Sequence, residues 1–133
     1  MNHVLKPLLA AALLTGALTA QAKLTIVVTT PDLASLAEAV GGTQIDLTTL
    51  ARPTEDPHFV DAKPSFIVKL NRADALIEGG AELEIGWLPP LLTGARNSKL
   101  ASGALGYIRA NEGIQMLEVP TALDRSEGDI HAA

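Results

Sequence analysis

The sequence predicts an α/β protein in which a parallel sheet carries helices on both faces. Three observations lead there. Strand-like runs and amphipathic helical stretches alternate along the chain. The first strand candidate, LTIVVT, is a continuous β-branched run, as expected of a strand buried on both faces. Turn residues, Thr-Pro once and Gly-Gly twice, punctuate the alternation.

The 133 residues open with an apolar leader. Residues 1–22, MNHVLKPLLAAALLTGALTAQA, hold one lysine and no acid, and the apolar run from Leu8 to Ala20 is too short to span a bilayer comfortably. Ala20-Gln21-Ala22 is a small-x-small cleavage sequence, so a signal peptide cut after Ala22 is expected. Residues 23–133 then form one small domain.

The elements follow in order. Leu24–Thr29 is the first strand. Thr30 is placed to cap a helix that Pro31 opens, with Asp32 favourable in the first turn. Leu33, Leu36, Ala37 and Val40 share one apolar face, and Gly41-Gly42 ends the helix. Gln44–Leu50 is a second strand with Ile45 and Leu47 on one side. After the loop Ala51–Val60, a second helix is expected over Ala62–Arg72, with Asp61 as its cap and Phe66, Ile67, Leu70 and Ala73 as its buried stripe. Asp74–Glu78 is a third strand, ended by Gly79-Gly80. A third helix covers Leu83–Ala95, or starts near Trp87 because of Pro89-Pro90. Two short strands, Gly106–Ala110 and Gln115–Val119, close the pattern. The tail Thr121–Ala133 is polar and aperiodic, leaves the last strand bare, and suggests the first half of a longer protein.

Composition narrows the function classes. Net charge is −5, and −6 once Lys6 leaves with the leader, which argues against nucleic acid and anionic membranes as partners. The chain has no cysteine, which removes thiolate metal sites and disulfides. Aromatic residues make up 3%, too few for a sugar- or base-stacking platform.

The stretch with chemical character is Thr54–Ser65, TEDPHFVDAKPS. His58 and His131 are the two histidines beyond the leader. His58 follows Glu55, Asp56 and Pro57 in the loop after strand two. In a parallel sheet that loop lies on the carboxyl edge, where ligands bind. An imidazole beside carboxylates is a candidate divalent-metal ligand, although an ordinary surface loop is the plainer reading of one histidine taken without context. Asp56 and Glu55 are candidates to orient His58 or to give an oxygen, with a solvated loop favoured for Glu55. Glu78 ends a strand on the same edge. Glu82 and Glu84 are expected to face water, and Trp87 to pack in a core or lobe interface. Thr29-Thr30-Pro31 shares the edge, with helix capping its simplest task.

These residues carry a resemblance. VVTTPDLASLAEAVGG, TEDPHFVDAKPS, NRADALIEGGAELEIGWLPPLL and EVPTALDRSEGDIHA resemble the N-terminal lobe of the metal-binding solute receptors of zinc/manganese ABC transporters. The resemblance covers nearly all of residues 23–133 but about half of a family member. It implies one lobe of a bilobal receptor that holds a metal between two α/β lobes joined by a long helix. It implies a monomeric periplasmic protein that captures zinc or manganese and delivers it to an inner-membrane permease. His58 matches the family's first histidine ligand. His131 is a weaker match, because the family's second ligand usually sits in an asparagine-proline-histidine run that this sequence lacks. The ligands of the second lobe are also missing. A zinc or manganese site needs at least three donors, so weak binding by this chain is expected.

Other functions compete. An enzyme would need a nucleophile with its base or an acid–base carboxylate pair. Ser65 near His58 is the one tempting pair, and its place at a helix start suits capping better. No glycine-rich phosphate loop is present. No enzyme activity is therefore expected. A periplasmic metal buffer or chaperone, or an adhesion-type surface protein, are the alternatives to a transporter receptor.

Overall fold

The computed structural model describes residues 22–117. Four parallel strands form one sheet in the order β2-β1-β3-β4, with β1 Leu24–Val28, β2 Ile45–Thr49, β3 Ala75–Glu78 and β4 Tyr107–Arg109. The central strand β1 is in register with β2 from Leu24↔Ile45 and with β3 from Ile26↔Ala75. Helix α1 spans Pro31–Gly41, α2 Pro64–Arg72 and α3 Leu88–Ala95.

Alternation along β1 assigns the helices to the two faces. Ile26 and Val28 pack with Leu33 of α1. Val27 points the other way, into a larger cluster with Phe66 and Leu70 of α2 and Leu88, Leu91 and Ala95 of α3. Helices thus cover both faces, as the sequence predicts. No helix among the described residues is long and apolar enough to cross a membrane.

Several boundaries differ from expectation for local reasons. Helix α2 begins at Pro64 rather than Ala62. Proline holds the preceding Lys63 in an extended conformation, φ −84° and ψ 142°, so the helix cannot start earlier and Asp61 does not cap it. Ser65 is therefore an exposed residue inside the first turn, not the cap. Helix α3 takes the later of its two starts, with Trp87 at the cap position and Pro89-Pro90 in the first turn, where their missing N–H groups cost no hydrogen bond. Thr30 occupies the cap position of α1, but its hydroxyl makes no capping bond. On α1 the stripe is only half used. Leu33 is buried, whereas Leu36 is 65% and Val40 90% exposed.

Asp74 lies just before β3, not in it. Its carboxylate accepts from Lys99 Nζ at 2.6 Å and from Thr25 N at 2.9 Å, and these bonds, Lys99 foremost, hold it below the usual carboxylate range. Residues 115–117 are not in a strand. The rest of the expected Gln115–Val119 strand, His131 and most of the leader 1–22 lie outside the described residues.

Candidate functional site

Because all strands run parallel, the segments after β1, β2 and β3 emerge on one edge. Thr29 and Thr30 follow β1, the loop bearing His58 follows β2, and Gly79-Gly80 follow β3.

The His58 loop is ordered by its own carboxylates. Asp56 Oδ1 accepts the His58 backbone N–H and His58 Nδ1, each at 2.9 Å. A carboxylate acceptor at Nδ1 favours the tautomer with its proton there, the arrangement that orients many metal-ligating histidines, and the Nε2 atom is itself buried. The backbone N–H of His58, then its ring, hold the Asp56 carboxyl below its ordinary value. Asp56 is thus the orienting acceptor expected of it. Glu55 does more than face solvent. It accepts from Arg52 N at 3.1 Å and from Asp61 N at 3.4 Å, which closes the neck of the loop. The Arg52 bond is the main reason its carboxyl sits below the ordinary value. The His58 ring lies beside that of Phe59, centroids 6.2 Å apart, with its side chain 20% exposed.

Glu84 reverses its expected place. It is 3% exposed, among the most buried polar residues of the fold. Its carboxylate accepts from Thr29 Oγ1 at 2.6 Å, Gly79 N at 2.7 Å and Gly80 N at 3.2 Å. Left-handed backbone at Ala81 (φ 52°) and Glu82 (φ 68°) turns the chain back after β3, so residue 84 returns over the strand tips. Thr29 accordingly serves Glu84 rather than the α1 cap. Gly80, at φ 76°, lies against the Asn111 side chain, where a Cβ would collide. Glu82 is exposed, as expected.

Glu78 also lies at this edge, 8% exposed, with Arg109 Nε 3.7 Å from its carboxylate. Burial raises its carboxyl above the ordinary value, against the lowering effects of Tyr107 and Arg109. Burial, then the Glu78 charge, push the Tyr107 phenol up to about 12. Glu78, Tyr107 and Arg109 share one wall of a cavity of about 720 Å³. Trp87 is core, as expected, at 3% exposure in the cluster that includes Leu50, Ala51 and Val60. Its indole N–H also donates to the Pro57 carbonyl at 2.8 Å, a contact the sequence did not reveal.

Among the described residues, no three histidine, aspartate or glutamate side chains gather as a metal-ligand set. The structure offers one oriented imidazole with its acidic partner, at the edge where parallel sheets bind ligands.

The fold recurs in solved metal receptors. The crystal structure of ZnuA matches with a TM-score of 0.58 and 26% identity over 72% of this chain and 35% of that one. The periplasmic zinc-binding protein TroA from Treponema pallidum matches at 0.52 and 25%, over 57% and 27%. The class is therefore a partial lobe of a ZnuA/TroA-type metal-binding receptor. The family described as zinc-uptake complex component A, periplasmic, matches residues 26–132, and the chain belongs to it. Among curated relatives, the iron ABC transporter substrate-binding lipoprotein MtsA of Streptococcus pyogenes serotype M1 is 30% identical over 129 residues, 94% of this chain and 40% of its own length. The manganese ABC transporter substrate-binding lipoprotein PsaA of Streptococcus anginosus is 26% identical over 83% of this chain and 35% of its own. The chain thus spans about 40% of the length of the first of these relatives.

Proposed function

We propose that this chain forms the His58-bearing wall of a periplasmic receptor. The receptor captures a divalent transition-metal ion, zinc or manganese, and delivers it to an ABC permease. The observation that carries the reading is the Asp56–His58 pair, an imidazole oriented by a carboxylate in the loop that follows β2, on the carboxyl edge of the sheet. The names of the relatives support a metal cargo, and they divide between zinc, manganese and iron. Imidazole suits zinc and iron, and manganese favours oxygen donors, so the choice among them rests with the remaining donors. His131 is the second candidate ligand by the family resemblance.

One imidazole is a weak site by itself, so the chain alone should bind zinc poorly. A zinc titration followed at the backbone amides of residues 58 and 59 tests the assignment. Zinc should shift them at high metal concentration, and His58→Ala should remove the corresponding metal response. Tight one-to-one binding that survives His58→Ala would remove His58 from the site. Export should trim the chain after Ala22, which the mass of the exported product reads directly.

A further inference from the structure

A metal ligand has to be held to within about 0.5 Å of its working position, and His58 stands on a loop without regular structure. The bonds from Asp56 and Glu55 are internal to that loop. They fix the imidazole relative to its neighbours, not relative to the sheet.

The geometry points to Trp87 as the positioning residue for His58, with Glu84 as the group that sets Trp87. This rests on His58 as the metal-binding residue. The peptide unit joining Pro57 to His58 is planar, so gripping both of its polar ends fixes the plane. Asp56 Oδ1 holds the N–H end at 2.9 Å, and the Trp87 indole holds the carbonyl end at 2.8 Å. The Cα of His58 leaves from that plane, and its ring returns to the same Asp56 oxygen. Backbone and side chain are therefore set together.

Trp87 is itself immobilised from the sheet. Its ring is buried, and its backbone N–H donates to the Glu84 carbonyl at 3.1 Å. The Glu84 carboxylate is bound to Thr29 at the tip of β1 and to Gly79 and Gly80 at the tip of β3. Position passes from two strand tips, through Glu84 and Trp87, to the peptide plane that bears the imidazole. A buried carboxylate accepting three bonds is a stiff anchor, because each bond is charge-assisted.

Trp87 is the sole tryptophan, so biosynthetic replacement of tryptophan by 3-benzothienylalanine changes this residue alone. The analogue keeps the ring shape and removes the N–H donor. Loss of one hydrogen bond should speed amide exchange at His58 and Phe59 about fivefold. Exchange at Val27 and Leu76 in the core should not change. The zinc concentration that half-shifts the backbone amides of residues 58 and 59 should rise by roughly tenfold, as for other residues that orient a metal ligand. Trp87→Phe should move both readouts the same way. Unchanged exchange at His58 and Phe59 in the analogue protein would overturn the proposal, as would an unchanged zinc midpoint where His58→Ala abolishes the response. If His58→Ala leaves the zinc response intact, the metal reading falls instead, and the exchange rates alone decide whether Trp87 positions the loop.

Discussion

The two faces of the sheet are built to different standards. One is covered by α2 and α3 and holds thirteen buried residues in a continuous cluster, Leu70 and Leu76 at 0% exposure among them. Among the described residues the other has α1 alone and buries Ile26, Val28 and Leu33, while Leu36, Val40 and Ile108 are exposed. The loop of His58 is attached to the well-packed face, since Val60 at its end and Trp87 beneath it belong to the larger cluster. A candidate ligand is mounted on the stiff side of the molecule, and the yielding side is kept away from it.

Substitutions can break or sharpen that contrast. Leu76→Ala should have the largest effect, a loss of about 2–5 kcal/mol, because close-packed neighbours from two helices cannot collapse onto the cavity. Leu33→Ala on the thinner face should cost less, about 1–2 kcal/mol, since its surroundings already meet solvent. Urea unfolding of both variants checks the order, and equal losses would erase the distinction between the faces.

The third effect is smaller and depends on pH. Burial raises the Glu78 carboxyl above 4.5, so the folded chain binds that proton more tightly than the unfolded chain. Its favourable contribution is complete below 4.5 and is lost as pH rises through the raised value. Glu78→Gln has no such proton. Relative to the native chain, the variant should gain stability between about pH 4 and about pH 7, read from urea midpoints at the two values. A difference that does not change with pH would show that Glu78 is solvated like an ordinary surface acid. The smallest effect should be that of Val40→Lys. At 90% exposure it should change stability by no more than about 0.5 kcal/mol in the same assay.

The same contrast explains what could be foreseen from the amino acids. The β-branched run of β1, the prolines at helix starts and the glycine pairs are local signals, and they located the strands and helices to within a few residues. Periodicity also placed Leu36 and Val40 on the apolar stripe of α1. It could not say that Leu36 and Val40 would be left uncovered among the described residues, because that depends on what else packs there. His58 and Asp56 were legible as a pair because they are two residues apart. Glu84 was not, since its burial depends on the left-handed turn at Ala81 and Glu82, conformations that alanine and glutamate rarely adopt. Two consecutive glycines at a strand end, with an acid four to five residues on, was the available hint: two exposed N–H groups need an acceptor. The bond from Trp87 to Pro57 spans thirty residues and leaves no local trace.

The strand order also sets a timetable for assembly. β1 is first in the chain yet sits between β2 and β3, and its second neighbour is not complete until Glu78. Any process that delivers the polypeptide from its N-terminus leaves LTIVV without both flanking strands while some fifty further residues emerge. That interval leaves an uncharged, β-branched segment without its full pairing, the kind of exposure that makes non-local parallel sheets slow to form and open to association.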